Sequence, residues 1–99
     1  LQQDDLRQAL KADLRNLWQA YQNNIQMLKL ERENLIAAVE NHEIASERYM
    51  LGNLSGIEMR EAQKSLLDAE ERILSAEYDT KMCEISLLQL SGKITKYLE

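Results

Sequence analysis

The groups in this chain that could bind a metal or act in catalysis are one histidine, one cysteine and 17 acidic residues. His42 has no cysteine or second histidine within a helical turn, and so lacks the neighbours that a zinc site requires. Cys83 has no partner for a disulfide, and no basic, polar segment that would activate its thiol surrounds it. We therefore expect both residues to be structural.

The carboxylates fall in close pairs on segments that are typical of solvated helices. Examples are Glu31 and Glu33, Glu40 and Glu43, and Glu70 and Glu71. Acid–base catalysis needs a concave site that desolvates one carboxyl group and raises its pKa, and a simple pair of helices offers no such site. We expect no enzymatic activity, no metal site and no cofactor.

Composition favours long helices. The 99 residues include no proline and only three glycines, and good helix formers dominate. Basic residues are scattered and the net charge is −5, which argues against nucleic-acid binding. No run approaches the ~20 apolar residues of a membrane span. The chain begins without a methionine or a signal-like segment, so we expect it to be a piece of a longer protein.

Apolar and small residues recur at alternating spacings of four and three, which defines a coiled-coil seam. In the first half the seam residues are Leu10, Leu14, Leu17, Tyr21, Asn24, Leu28, Glu31, Leu35, Ala38, His42, Ala45, Tyr49 and Gly52. In the second half they are Met59, Ala62, Leu66, Ala69, Ile73, Ala76, Thr80, Cys83, Leu87, Leu90, Ile94 and Tyr97. Asn24 and Glu31 interrupt the seam, either as polar layers that fix the register or as a ligand site, and we favour the former.

Folding the chain back on itself aligns the two half-seams, so that Leu35 meets Ile73 and Asn24 meets Cys83. The predicted fold class is therefore all-α, a long antiparallel two-helix coiled-coil hairpin. We predict a helix over 4–51, a tip at 52–54, a helix over 55–91 and a tail at 92–99.

The predicted tip has explicit turn chemistry. Gly52 suits the left-handed residue that ends a helix. Ser55 suits the N-cap of the next helix, and Glu58 completes a capping box. Ser91-Gly92 is a second stop signal, after which residues 93–99 either fray or resume the helix.

A second apolar line lies beside the seam. It comprises Leu6, Trp18, Ile25, Ile36, Val39, Leu67, Leu74 and Leu88. A two-helix hairpin leaves these side chains exposed, which indicates contact with further helices or self-association.

The tip and the second half together resemble a known family. Arg48-Tyr49-Met50-Leu51-Gly52-Asn53-Leu54-Ser55 is followed by Glu58, by Ala62-Gln63, by alanine-spaced leucines, and by Leu87-x-x-Leu90-x-Gly92. This order and spacing over about residues 34–92 resembles the TolC-like outer-membrane efflux proteins. Asn53 stands where members of that family often have an apolar residue.

The resemblance to this family implies an oligomeric state, a location and a partner that the residue spacing alone does not give. Family members are trimers with a β-barrel in the outer membrane of Gram-negative bacteria and a periplasmic tunnel of helical hairpins. The tunnel meets a periplasmic adaptor (membrane fusion) protein that is linked to an inner-membrane pump. On this resemblance the chain is one periplasmic tunnel hairpin without membrane contact of its own. Its adaptor-binding tip would consist of Arg48, Tyr49, Leu51, Gly52, Asn53 and Ser55.

Two other interpretations remain. The chain is alternatively a structural coiled-coil hairpin of another assembly, including the adaptor's own hairpin. The usual adaptor tip, an Arg-Leu pair followed by a later serine, is not found here. A regulatory pair of dimerisation helices is a third interpretation.

Overall fold

Two helices make up the described part of the chain, residues 2–98 of a computed structural model. Helix α1 is Gln2–Met50 and helix α2 is Gly56–Leu98. They contact each other extensively, and no strand is present within residues 2–98. The predicted all-α helical hairpin is confirmed.

The chain divides into two compact units, each of which contains part of both helices. The tip unit is Met27–Glu77. The terminal unit combines Leu1–Gln26 with Tyr78–Glu99. We describe the two units separately.

The helix boundaries differ from the prediction mainly at the end of α2. The stop predicted at Ser91–Gly92 is wrong, since α2 continues through Gly92 to Leu98. The seam continues with the half-buried Ile94, and no proline follows that would end the helix. The Thr95 hydroxyl donates to the Ser91 carbonyl at 2.9 Å, one turn back. A single glycine inside a helix costs only about 1 kcal/mol, which these features offset.

In the tip unit, the predicted seam is the buried side of both helices. Glu31, Ala69 and Ala76 are buried. The half-buried seam residues are Leu28, Leu35, Ala38, His42, Ala45, Met59, Ala62, Leu66 and Ile73. Tyr49 and Gly52, the last predicted seam residues of the first half, are exposed. Tyr49 lies in the last turn of α1, where the facing helix is only beginning and has few side chains to cover a ring.

In the terminal unit, two side chains of α2 bond to carbonyls of α1. The Thr80 hydroxyl donates to the Asn24 carbonyl at 3.3 Å, and the Cys83 thiol donates to the Leu17 carbonyl at 3.6 Å. Neither bond tests the predicted pairing of the Asn24 and Cys83 side chains, which stays a prediction. A carbonyl points along the helix towards the residue four positions later, so a short polar group finds backbone oxygen rather than the aligned side chain.

The one charged residue buried in the described seam has its partner within the tip unit. Glu31 is 9% exposed, and its carboxylate Oε2 accepts from Arg72 Nε at 3.1 Å. Among the described residues, no buried side-chain nitrogen or oxygen lacks a hydrogen-bond partner. A carboxylate satisfied by the opposite helix supports the interpretation of Glu31 as a register-fixing polar layer rather than a ligand site.

Removing the arginine tests this interpretation. Arg72→Ala leaves the Glu31 carboxylate without its charged donor, and we expect the free energy of unfolding to fall by about 1 kcal/mol, a value reduced because Arg72 is half-exposed. Lys81→Ala, at the exposed 3.9 Å pair with Glu84, is the control and should change it by less than about 0.5 kcal/mol. Urea unfolding followed by circular dichroism measures both. Equal losses in the two variants would contradict this, since they would show that the Glu31–Arg72 contact stabilises the hairpin no more than an exposed ion pair does.

Candidate functional site

Helix α1 ends in a Schellman motif. Gly52 has a φ of +77°, in the left-handed region that favours glycine. Its N–H donates to the Tyr49 carbonyl at 3.1 Å, and the Asn53 N–H donates to the Arg48 carbonyl at 2.8 Å. These are the two bonds that define the motif, so the prediction of Gly52 as the left-handed terminal residue is confirmed.

Helix α2 begins with a side-chain cap. The Ser55 Oγ accepts from the Glu58 N–H at 3.2 Å, and the Ser55 carbonyl accepts from the Met59 N–H at 3.0 Å. Ser55 is therefore the N-cap, as predicted, and this bond is the serine half of the capping box. Both ends of the turn are held by hydrogen bonds, which fixes the direction of the side chains around it.

The turn carries an exposed apolar surface, which we call the tip patch: Tyr49, Met50, Leu51 and Ile57. Met50 is 88% exposed and Leu51 is 75% exposed, and both are large aliphatic side chains. Every predicted tip residue is exposed; these are Arg48, Tyr49, Leu51, Gly52, Asn53 and Ser55. An apolar surface at the end of a helix pair suits contact with another protein.

Met50 and Ile57 were missed as site residues by the sequence analysis. Both lie outside the seam and within two residues of a helix end. A large apolar residue that lies off the seam and beside a turn is expected to be exposed at the tip, and this pattern could have identified both residues from the sequence.

The space above Gly52 is open. A Cβ built on Gly52 meets no atom within 4 Å, so a partner has room to approach the backbone there. An alanine there would therefore meet no other atom through its Cβ, and the cost of Gly52→Ala would come from the positive φ.

A polar groove lies on one side of the tip unit. Its volume is about 560 Å³, and it is lined by Asn34, Ala37, Ala38, Asn41, Glu58, Glu61, Ala62, Ser65 and Arg72. Its amides, carboxylates and small residues can accept a polar surface of a partner.

An apolar groove lies in the terminal unit. Its volume is about 680 Å³, and it is lined by Lys11, Leu14, Arg15, Trp18, Tyr21, Glu84, Leu87, Leu88 and Ser91. The Trp18 and Tyr21 rings lie 5.9 Å apart and form one aromatic surface. Trp18 and Leu88 are exposed, as the second apolar line predicted.

His42 and Cys83 are seam residues, half-buried and buried respectively. Within residues 2–98, no group of three or more histidine, cysteine or acidic residues is placed to hold a metal ion. No helix in this part of the chain is long and apolar enough to cross a bilayer.

The chain matches no protein-family model, no curated protein and no solved structure.

Two glycines in open space test the turn geometry. Gly52→Ala places a Cβ on a left-handed residue, and we expect the free energy of unfolding to fall by about 1–2 kcal/mol. Gly92→Ala lies within α2 at an ordinary helical φ, and we expect it to raise that free energy by about 0.5–1 kcal/mol. Neither Cβ meets another atom within 4 Å, so packing is the same in the two variants. Thermal unfolding monitored at 222 nm should therefore give opposite signs, and a shared sign would contradict the backbone explanation.

Proposed function

We propose that this chain is a periplasmic tunnel hairpin of a TolC-like outer-membrane efflux channel, and that its tip docks the periplasmic adaptor of a tripartite efflux pump. The observation that carries the proposal is the exposed tip patch on a doubly capped turn with the Arg48-Tyr49-x-x-Gly52-x-x-Ser55 spacing. The channel would lie in the outer membrane of a Gram-negative bacterium and function as a trimer, with this segment in the periplasm and drugs or other small molecules as cargo.

Docking would proceed end to end. The side chains of Tyr49, Met50 and Leu51 project from the tip and would pack against the apolar residues of the adaptor's helical tip. The open space at Gly52 would admit the partner's backbone. Arg48 and Asn53 would provide the polar edge that sets orientation, as in other interfaces with an apolar centre and a polar rim.

A second candidate function is a structural coiled-coil hairpin of another assembly, such as an adaptor hairpin. The exposed apolar residues away from the tip favour it, because each unit carries several of them. In that case the lateral faces, not the tip, would carry the interaction.

Site-specific cross-linking in cells distinguishes the two candidates. Single cysteines replace Leu51 or Asn53 in the full-length protein, in a Cys83→Ser background that keeps a donor for the Leu17 carbonyl. We expect a bifunctional thiol–amine reagent to capture a periplasmic adaptor, identified by mass spectrometry. Leu14→Cys and Ile94→Cys, in the terminal unit, are the matched controls. Capture of the adaptor by the controls but never by the tip cysteines would overturn the proposal.

A substitution at the turn tests function directly. Gly52→Asp adds backbone strain and a charge to the tip patch while leaving the seam untouched. We expect trimer assembly and membrane insertion to persist and efflux, measured by dye accumulation, to be lost. The isosteric control is Asn53→Asp, which adds the charge without the strain and should reduce efflux less. Normal efflux in Gly52→Asp would exclude the tip as the docking surface.

A further inference from the structure

The apolar groove of the terminal unit has different chemistry at its two ends. Its lining in α1 runs from Lys11 to Tyr21, and its lining in α2 runs from Glu84 to Ser91. The helices of this unit are antiparallel, so the first residues of one segment lie beside the last residues of the other. Lys11 therefore lies at the same end of the groove as Ser91, and Glu84 lies at the opposite end.

Between these ends the groove is apolar. Its middle is formed by Leu14, Trp18, Tyr21, Leu87 and Leu88. Trp18 is 54% exposed and Leu88 is 68% exposed, so much of this surface is in contact with water. The volume of about 680 Å³ falls in the range of roughly 300–1,000 Å³ that is usual for small-molecule sites. A small apolar molecule would therefore fit here and would remove this surface from water.

The end nearer the chain termini is cationic. Lys11 and Arg15 are one helical turn apart, so their side chains are neighbours on one face of α1. Neither forms an ion pair with a described residue. The Ser91 hydroxyl, which can also donate a hydrogen bond, lines the same end from α2. This end therefore offers two positive charges and a hydroxyl donor to an anion.

The end nearer the turn carries the one acidic residue of the groove lining. Glu84 is half-buried, and its carboxylate lies 3.9 Å from the Lys81 ammonium. This exposed pair partly neutralises the carboxylate but leaves it unfavourable for a second anion. The charges of the lining thus attract an anion at one end only.

We propose that this groove binds a free amphipathic monocarboxylate, a molecule with one apolar chain and one carboxylate head. The head would lie between Lys11 and Arg15, whose guanidinium can donate two parallel hydrogen bonds to a carboxylate. The chain would lie over Trp18 and Leu88 and point towards Glu84. A second carboxylate at the far end of the chain would meet Glu84, so the groove would prefer monoacids to diacids.

Net charge favours a free molecule over a membrane surface as the occupant. The whole chain carries a charge of −5, so an anionic bilayer would be repelled by most of the molecule. A single small anion at the cationic end meets the two local cations, because more distant charges are screened by salt. This inference does not depend on the proposed function, since it concerns a groove in the terminal unit and not the tip.

Trp18 gives a local readout, because it is the only tryptophan in the chain. The 99-residue chain is titrated at neutral pH with decanoate, below the concentration at which decanoate forms micelles, and tryptophan emission is recorded. The comparison ligands are decanamide, the uncharged isostere, and decanedioate, the diacid. We expect a shift of emission to shorter wavelength, and a Kd for decanoate at least about tenfold lower than for either comparison ligand.

Variants locate the head of the ligand. Lys11→Gln with Arg15→Gln should raise the Kd for decanoate at least about tenfold and change that for decanamide less than about threefold. The matched control is Lys29→Gln with Arg32→Gln, which removes two exposed cations from α1 in the tip unit and should change the Kd for decanoate less than about threefold. Glu84→Gln should lower the Kd for decanedioate at least about threefold. Circular dichroism confirms that each variant is helical.

Four results would each overturn the proposal. Equal affinities for decanoate and decanamide would show a groove that accepts any apolar chain, as the seat of a partner helix would. An equal loss in the two double variants would show that Lys11 and Arg15 do not hold the head. An unchanged Trp18 spectrum would place the ligand elsewhere. Co-sedimentation with phosphatidylglycerol vesicles that is lost in the variant of Lys11 and Arg15 would identify a membrane surface as the occupant.

Discussion

The close approach of two helices at small side chains is the constraint from which the rest of this structure follows. The buried apolar residues among those described are Ala69 and Ala76 in the tip unit and Cys83 in the terminal unit. None of the larger side chains in the described part is fully buried. Two helices can cover only one stripe of each other, so most aliphatic side chains remain partly in water. Every surface of this chain is therefore a potential interface, and the seam alone cannot determine which surface is used.

Polar side chains join the two helices without interrupting the backbone hydrogen bonds of either one. Thr80 and Cys83 donate to carbonyls that already accept a bond inside α1, so neither helix loses a backbone hydrogen bond. Glu31 differs because a carboxylate cannot be left unpaired in a seam, and Arg72 meets it from the facing helix. Such contacts contribute little net stability in a half-wet interface. Their role is to fix the register, because a shift of one helix along the other would separate each donor from its acceptor.

The parts of the fold that depend on local chemistry were predictable from sequence. Gly52 adopts the left-handed φ that ends α1, and Ser55 caps the start of α2. Few residue types suit either position, and both were assigned correctly. The seam was predictable because its spacing is regular over many turns. The predicted end of α2 failed because Gly92 was treated as a stop, although the seam pattern continued beyond it to Ile94. Local signals compete with tertiary packing, and packing prevailed there.

The candidate site was only partly accessible from sequence. Its polar and glycine positions followed from turn chemistry, and its family resemblance supplied the role. Met50 and Ile57 were missed because the predicted site residues came from the family resemblance and not from a search for large apolar residues beside the turn. The bonds of Thr80 and Cys83 to backbone carbonyls of α1 were not predicted, because a heptad alignment compares side chains and gives no information on carbonyl oxygens.

The capped turn also has a consequence for how the chain folds. The bonds at the tip join residues no more than five positions apart, whereas the bonds between the two helices in the terminal unit join residues 56 and 66 positions apart. Closing a short loop costs less conformational entropy than closing a long one, and local contacts form faster. Folding should therefore nucleate at Gly52 and Ser55 and proceed outwards like a zipper. The last layers to form, near Leu14 and Ile94, would be the first to open, so amide hydrogen exchange should slow progressively from the chain ends towards the turn.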